Sequence, residues 1–554
     1  MKMELSLMVT IRIYFLALVM NLILPITVIA GEKIILNGKI WTGNVNQPWA
    51  EAIAINNDRI VGVGSSAAIS AKHLTASVID VEGKLVLPGF IDNHVHFMDG
   101  ALSLVSVNTY DTKSAEEFSE VIKNYASKMP KDEWMLGGVW DHESWEGVLP
   151  HKNWVDKYTK DNPIYLLRTD GHIAFVNSKA LEFAGISKET PDPDGGVIVR
   201  DQNGEPTGVL IDNAMLLVSS LYPQPSARKI DDVFDAGIKE ALENGVTQIH
   251  SMDMAVWDNL PIFKRATEDG RLQVRTYYYS HITKRHDLAS MIKKEGYGDN
   301  MLRFGGIKVM VDGALGSGTA WLHEPYSDDP NNSGFPIRPM DELKIMLQES
   351  HDYGFQLAIH GIGDKANDEI FKLIEQIGAS GSRPRIEHAQ HLSPDAFKRF
   401  KELGVVAAAH PYHVVDDGRF AEKRLGKARL AGTYAFKSLL DAGAMVSFGS
   451  DWFVAPLKPL LGIYAATTRH TADGKNPDGW IPNEKISVEQ AVKAYTINNA
   501  YGGNQEDDLG TIEVGKLADL VVISDNIFKI NPEEIINSTV VMTMIGGQVL
   551  FQSE

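Results

Sequence analysis

One repeated pairing narrows what this chain can fold into. A short apolar run ends in a residue type that binds metal, and sequence of helical character follows before the next run. The first instance, LVLPGFIDNHVH, closes on His94-Val95-His96. In a strand, side chains at i and i+2 share one side, so two imidazoles at that spacing can converge on one ion. Lys308 lies in FGGIKVMVDG, His360 ends FQLAIH, His388 ends RPRIEH, and Asp451 follows MVSFGS. Strand-like runs fall at 85–92, 246–250, 272–279, 304–311, 355–360, 384–387, 405–409 and 445–449. Helical stretches such as 230–243 and 364–377 lie between most of them. Alternating strands and helices imply parallel strands with right-handed crossovers, and eight such units close an α/β, TIM-like (β/α)8 barrel. The ligand types then share the mouth at the strands' C-terminal ends.

The remaining sequence is organised around that barrel, expected over 85–504. About 150 residues separate the first two runs, more than any plain loop takes, so an inserted lobe is expected over about 101–226. Within it, Ser114-Ala115-Glu116-Glu117 is a capping-box pattern opening a helix that runs to Met129, and Asn203-Gly204 is a hairpin signal. Short alternating runs with turn residues fill 32–84 and recur over 505–554. Together they predict one small β-sandwich built from both termini.

Bulk properties exclude several classes. The 554 residues carry a formal charge of −19, which argues against nucleic acid or an anionic membrane surface as partner and leaves a small-molecule substrate. Cysteine is absent, so any metal is held by His, Asp, Glu or a modified Lys. Residues 13–30 are uncharged and mostly apolar, preceded by Lys2 and Arg12, and Val28-Ile29-Ala30 offers a cleavage site before Gly31. This reads as a signal peptide over 1–30, hence a periplasmic or secreted protein, with an uncleaved N-terminal anchor as the alternative. A homodimer is left open.

His94, His96, His360, His388 and Asp451 suit Zn²⁺ or a similar divalent ion, one or two in number. Lys308 has two readings. A buried amine that loses its proton can take up CO₂, giving a carbamate that bridges two ions; alternatively it binds a substrate carboxylate or pairs with Asp312. Asp451 can ligate and also accept the proton of an attacking water. The chemistry is hydrolysis of a carbonyl-type bond. His250, His281, His351 and His470 have no such support and are read as ordinary histidines.

GKLVLPGFIDNHVH, RTDGHIAFVNSKAL, PDPDGGVIVRDQNGEPTGVL, IKVMVDGALGS, LAIHGIGDKAND, RIEHAQ, FGSDW and LGTIEVGKLADLVVI resemble the amidohydrolase superfamily, in its amidohydrolase family 3 or YtcJ-like branch. The resemblance covers the chain from about residue 32 onward. It implies His94 and His96 as first-strand ligands, carbamylated Lys308 as a bridge, His360 and His388 as ligands of a second ion, and Asp451 as the last-strand aspartate. It also implies that Arg168, Asp170 and His172 reach from the lobe toward the substrate, with a turn and helix cap and a surface His172 as the alternative. Trp140, Trp321 and Trp452 are candidates for an apolar pocket wall, with core packing as the alternative. AAAHPYHV departs from relatives, which often carry Gln at the position of His410, and His391 is also unusual. Both are expected near the mouth, with His410 touching substrate. The implied activity is metal-dependent hydrolysis of an amide, N-acyl or N-formyl C–N bond. Deamination, ester hydrolysis and an exported barrel that binds a small molecule without turning it over are the alternatives.

Overall fold

The structure, a computed structural model, describes residues 31–553 except 111, 146, 222–226 and 253–258. The signal-peptide reading of 1–30 lies outside the described residues.

An 8-stranded parallel sheet forms the centre. Its strands are β1 (Phe90–Val95), β2 (Val246–Met252), β3 (Arg275–His281), β4 (Leu302–Met310), β5 (Gln356–Gly361), β6 (Arg385–His388), β7 (Val406–Ala409) and β8 (Met445–Phe448), neighbours in chain order. The residues just past β8 close the ring on β1. His94 O accepts from Asp451 N at 2.8 Å, and His96 N donates to Trp452 O at 2.6 Å. Gly449 permits this approach, because a Cβ there would lie 2.4 Å from Asn93 Oδ1. Almost every strand residue is buried, as expected when helices cover the outside and side chains fill the inside.

The first run is two strands, not one. Leu85–Pro88 pairs with Leu520–Ile523 and Lys39–Trp41, and β1 begins only at Phe90. Pro88 cannot donate to a ladder, and Gly89 sits where a Cβ would meet Thr247 Oγ1 at 2.2 Å, so the chain turns there from one sheet into another. Leu85–Pro88 thus belongs to a 6-stranded sheet that includes the C-terminal Val540–Ile545 and Gln548–Gln552. A 4-stranded sheet contains Lys33–Leu36, Ala52–Asn56, Arg59–Gly64 and Ser77–Asp80. Ile35, Ile53, Ile55, Val86, Leu520 and Met542 pack together across the two sheets. Arg275, at the start of β3, holds Asp519 through Nε at 2.6 Å and Nη2 at 3.0 Å, tying this layer to the barrel's base.

Between β1 and β2 the chain builds a separate 5-stranded sheet: Met135–Trp140, Ile164–Arg168, Ile173–Val176, Gly196–Arg200 and Pro206–Asp212. The hairpin at Asn203-Gly204 joins the last two. Helix Ala115–Ala126 is capped by Ser114 Oγ, which accepts from Glu117 N at 3.1 Å; Glu117 returns a bond to Lys113 N rather than to the cap residue. It ends three residues earlier than expected. Ile164–Arg168 and Ile173–Val176 form an antiparallel pair, and the turn between them carries Asp170 and His172 over the barrel mouth.

Candidate active site

β1 delivers His94 and His96, and each imidazole is oriented by a partner on its Nδ1. His94 Nδ1 donates to Glu387 Oε2 at 2.6 Å, and His96 Nδ1 to the Met252 carbonyl at 3.1 Å. Their Nε2 atoms face Asp451 Oδ1 at 3.5 and 3.1 Å. Lys308 Nζ lies 2.9 Å from His94 Nε2. His388 Nδ1 and His413 Nε2 approach Asp451 Oδ2 at 4.0 and 3.8 Å. His388 (φ 71°) and Asp451 (φ 60°) both occupy the left-handed region at their strand ends. Strain of that kind at non-glycine residues gathers at functional sites.

The donor set fits a metal ion. His388 Nδ1, His410 Nε2, His413 Nε2 and Asp451 Oδ1 are buried without a hydrogen-bond partner. Each such atom costs about 1–3 kcal/mol unless something fills the gap. Among the described residues, three groups bring their ligand atoms within 4.8 Å of one another: His94–His96–Asp451, His94–His388–His410 and His388–His413–Asp451. Burial, reinforced by Lys308 and the neighbouring imidazoles, holds His94 well below the usual histidine range, and burial does the same to His388 and to His410, down to about 3. Neutral imidazole is the form that ligates. Asp451 is lowered too, which for a carboxylate means charge. Burial would raise its pKa, but His96, His410 and His413 outweigh that and keep the carboxylate ionised.

Lys308 is 1% exposed, and burial lowers its pKa to about 8 against the opposing pull of Glu387 and Asp451. Asp312 is not its partner. That carboxylate accepts three backbone N–H bonds, from Ile362 at 3.0 Å, Gly363 at 2.8 Å and Trp321 at 2.8 Å.

The other expected residues divide, some lining the cavity and some not. His360 lies beside His388, ring centroids 4.3 Å apart, but its Nε2 meets the Gly313 carbonyl at 3.2 Å and it joins none of the three groups. His172 is held by Asp212, Nδ1 to Oδ1 2.6 Å, and stands 5.4 Å from the His360 ring. Arg168 borders the cavity but is committed to protein: Nη1 to Asp170 at 2.5 Å, Nη2 to Asp141 at 2.8 Å, Nε to His142 at 3.0 Å. Trp140 is not a pocket residue. It is fully buried in the lobe, donates to Leu166 O at 2.9 Å and stacks on Trp145, because the large ring fills the space under the five-stranded sheet. Trp452 likewise packs as core over Gly100 and Phe97. Trp321 is half-buried under the Lys365 ammonium. His391 points to Thr433 Oγ1 at 3.1 Å, and Gln390 faces the cavity instead. His410 does not line the cavity at all.

The cavity measures about 800 Å³ counted out to its mouth. Its far wall comes from residues the motif reading passed over: Asp141, His413, Asp416, Asp417 and Arg419. Burial would raise Asp141, but Arg168 and Arg419 override it and hold its pKa down to about 2. The signal was present in HPYHVVDDGR: on one helical turn, His413, Asp416 and Asp417 at i, i+3 and i+4 share a face. Glu387 was visible too, in RIEH, two residues from Arg385 and so on its side of the strand, but nothing local says that it meets His94.

Known proteins of similar sequence and fold point to one family. A model described as amidohydrolase family matches residues 77–551. The chain is 36% identical over 539 residues to Protein LONG AFTER FAR-RED 3 of Arabidopsis thaliana, covering 94% of this chain and 92% of that one. It is 31% identical to "Putative amidohydrolase YtcJ" of Bacillus subtilis, covering 91% and 96%. With the N-substituted formamide deformylase of Arthrobacter pascens it shares 27% identity, covering 94% and 98%. A metal-dependent hydrolase from Pyrococcus furiosus superposes with a TM-score of 0.72 at 27% identity, covering 90% and 100%. On the span of the family match, and on similarity to YtcJ along nine-tenths of its length, this chain belongs to the amidohydrolase family.

Proposed function

We propose that the protein is a metal-dependent hydrolase cleaving a carbon–nitrogen bond of amide, N-acyl or N-formyl type in a small molecule. The observation that carries this reading is the convergence of orphaned ring nitrogens on an ionised Asp451 at the C-terminal mouth of the barrel. The relative named as a formamide deformylase supports the choice of bond. His94, His96, His388 and Asp451 would hold the ion, with Lys308 beside them, and nitrogen-rich donors favour zinc. When bound, such an ion polarises a carbonyl and acidifies water.

The chain's own groups do the rest. Asp451, unpartnered at Oδ1, accepts a proton from the attacking water and passes it to the leaving nitrogen. His172, turned by Asp212, presents its other edge to the cavity, where it can hydrogen-bond the substrate. Arg168 and Arg419 grip Asp141 and keep the lobe wall in place. Lys308 meets the requirement for a carbamate: with a pKa of about 8, roughly one amine in ten is neutral at pH 7. We read the protein as exported, by the segment ahead of Gly31.

The test is a panel of N-formyl, N-acetyl and cyclic amides offered to zinc-loaded protein, with metal content measured in parallel. Turnover confined to the loaded form is expected. Protein purified from zinc-supplemented medium with no divalent ion bound sinks the proposal.

A further inference from the structure

His410 sits on the chain just past β7, 1% exposed, and does not border the open cavity. A contact with substrate is therefore a poor account of it. Its Nδ1 lies 3.2 Å from the Gly449 carbonyl. A carbonyl only accepts, so Nδ1 carries the hydrogen and Nε2 of the neutral ring is an acceptor. That Nε2 is buried and no donor meets it. His94 and His96 are built the same way: Nδ1 donates to an oxygen, and Nε2 is left facing the cluster. Ligating imidazoles are characteristically fixed like this, one ring nitrogen on a carboxylate or carbonyl and the other on the ion. The His410 ring lies 4.8 Å from that of His94 and 4.6 Å from that of His388, nearly perpendicular to both.

We propose that His410 is a metal ligand, completing with His94 and His388 a three-imidazole site. The inference rests on the metal centre proposed above and adds to it a residue from the seventh strand. An ion here takes the His94 Nε2 lone pair that now faces Lys308. Since His94 has only that one free ring nitrogen, this site and His94–His96–Asp451 cannot both be filled through it. The ion is thus one position of the same centre, not an addition to it. Three neutral nitrogens favour Zn²⁺, Co²⁺, Ni²⁺ or Cu²⁺ over Mg²⁺, Ca²⁺ or Mn²⁺.

Zn²⁺ affinity by chelator competition and the visible spectrum of the Co²⁺-loaded protein test it, on wild type, His410→Gln, His410→Asn and the control His391→Gln. Both His410 variants are expected to bind Zn²⁺ at least about tenfold more weakly and to shift the Co²⁺ bands. His391→Gln should match wild type, and added imidazole should restore affinity to His410→Gly. Wild-type affinity and spectrum in both His410 variants overturn the proposal. Weakened binding that imidazole does not rescue, with an altered circular dichroism spectrum, assigns His410 to packing and overturns it as well. Wild type that binds neither ion defeats the metal centre itself, a result distinct from either of these.

Discussion

Lys308→Met changes one buried charge, and its effect can be worked out with its sign. Burial moves the Lys308 ammonium from 10.5 to about 8, so the native state prefers the neutral amine. At about 1.36 kcal/mol per pKa unit, holding the charged form at neutral pH costs the metal-free protein about 3 kcal/mol. Methionine has similar length and no charge, and removes that cost. It also leaves His94 Nε2 without its 2.9 Å partner, which returns roughly 1 kcal/mol. Metal-free Lys308→Met should therefore be more stable than wild type at pH 7 by roughly 2 kcal/mol. The folded pKa lies below the unfolded one, so the unfolded chain binds more protons between about pH 8 and 10.5. Stability conferred by this group is thus lowest below pH 8 and rises through that window, letting wild type overtake the variant. Urea midpoints of the metal-free proteins in CO₂-free buffer, taken each pH unit from 7 to 10, read the difference directly. A wild-type-minus-variant difference that stays flat over that range would refute the reasoning, because no buried ammonium would then be titrating.

Three further outcomes are expected. Glu387→Gln leaves Arg385 without its buried counter-charge and loosens the orientation of His94; about 3–5 kcal/mol of stability and roughly 10–100-fold in Zn²⁺ affinity should go, and unchanged affinity removes Glu387 from that role. Asp451→Asn should keep part of the metal while kcat falls about 10²–10⁴-fold, and near-wild-type turnover takes the proton-transfer role away from Asp451. N-terminal sequencing of exported protein should begin near Gly31; a start at Met1 ends the cleavage reading.

Much of the barrel was legible because strand and helix leave different periodicities, and because ligand types at strand ends are few. The first run shows the limit. LVLPGFIDNHV reads as one run with only Pro88-Gly89 to mark a break, and the close approach of Gly89 to Thr247, 158 residues further along the chain, fixes where it passes from one sheet to another. Trp140 shows another. A tryptophan in a glycine-rich strand gives no local sign of whether it faces a cavity or a core.

Sequence alone determined which residue types stand at the strand ends, and on which side of each strand they project, because that follows from the two-residue repeat of the backbone. It did not determine where each ring nitrogen points. Glu387 and Met252 turn His94 and His96 toward Asp451, Gly449 turns His410 toward His94 and His388, and the Gly313 carbonyl draws His360 Nε2 away. Those partners lie tens to hundreds of residues distant in the chain. Hydrogen bonds to a ring edge are set by tertiary contact, and they decide which histidines are ready to share an ion.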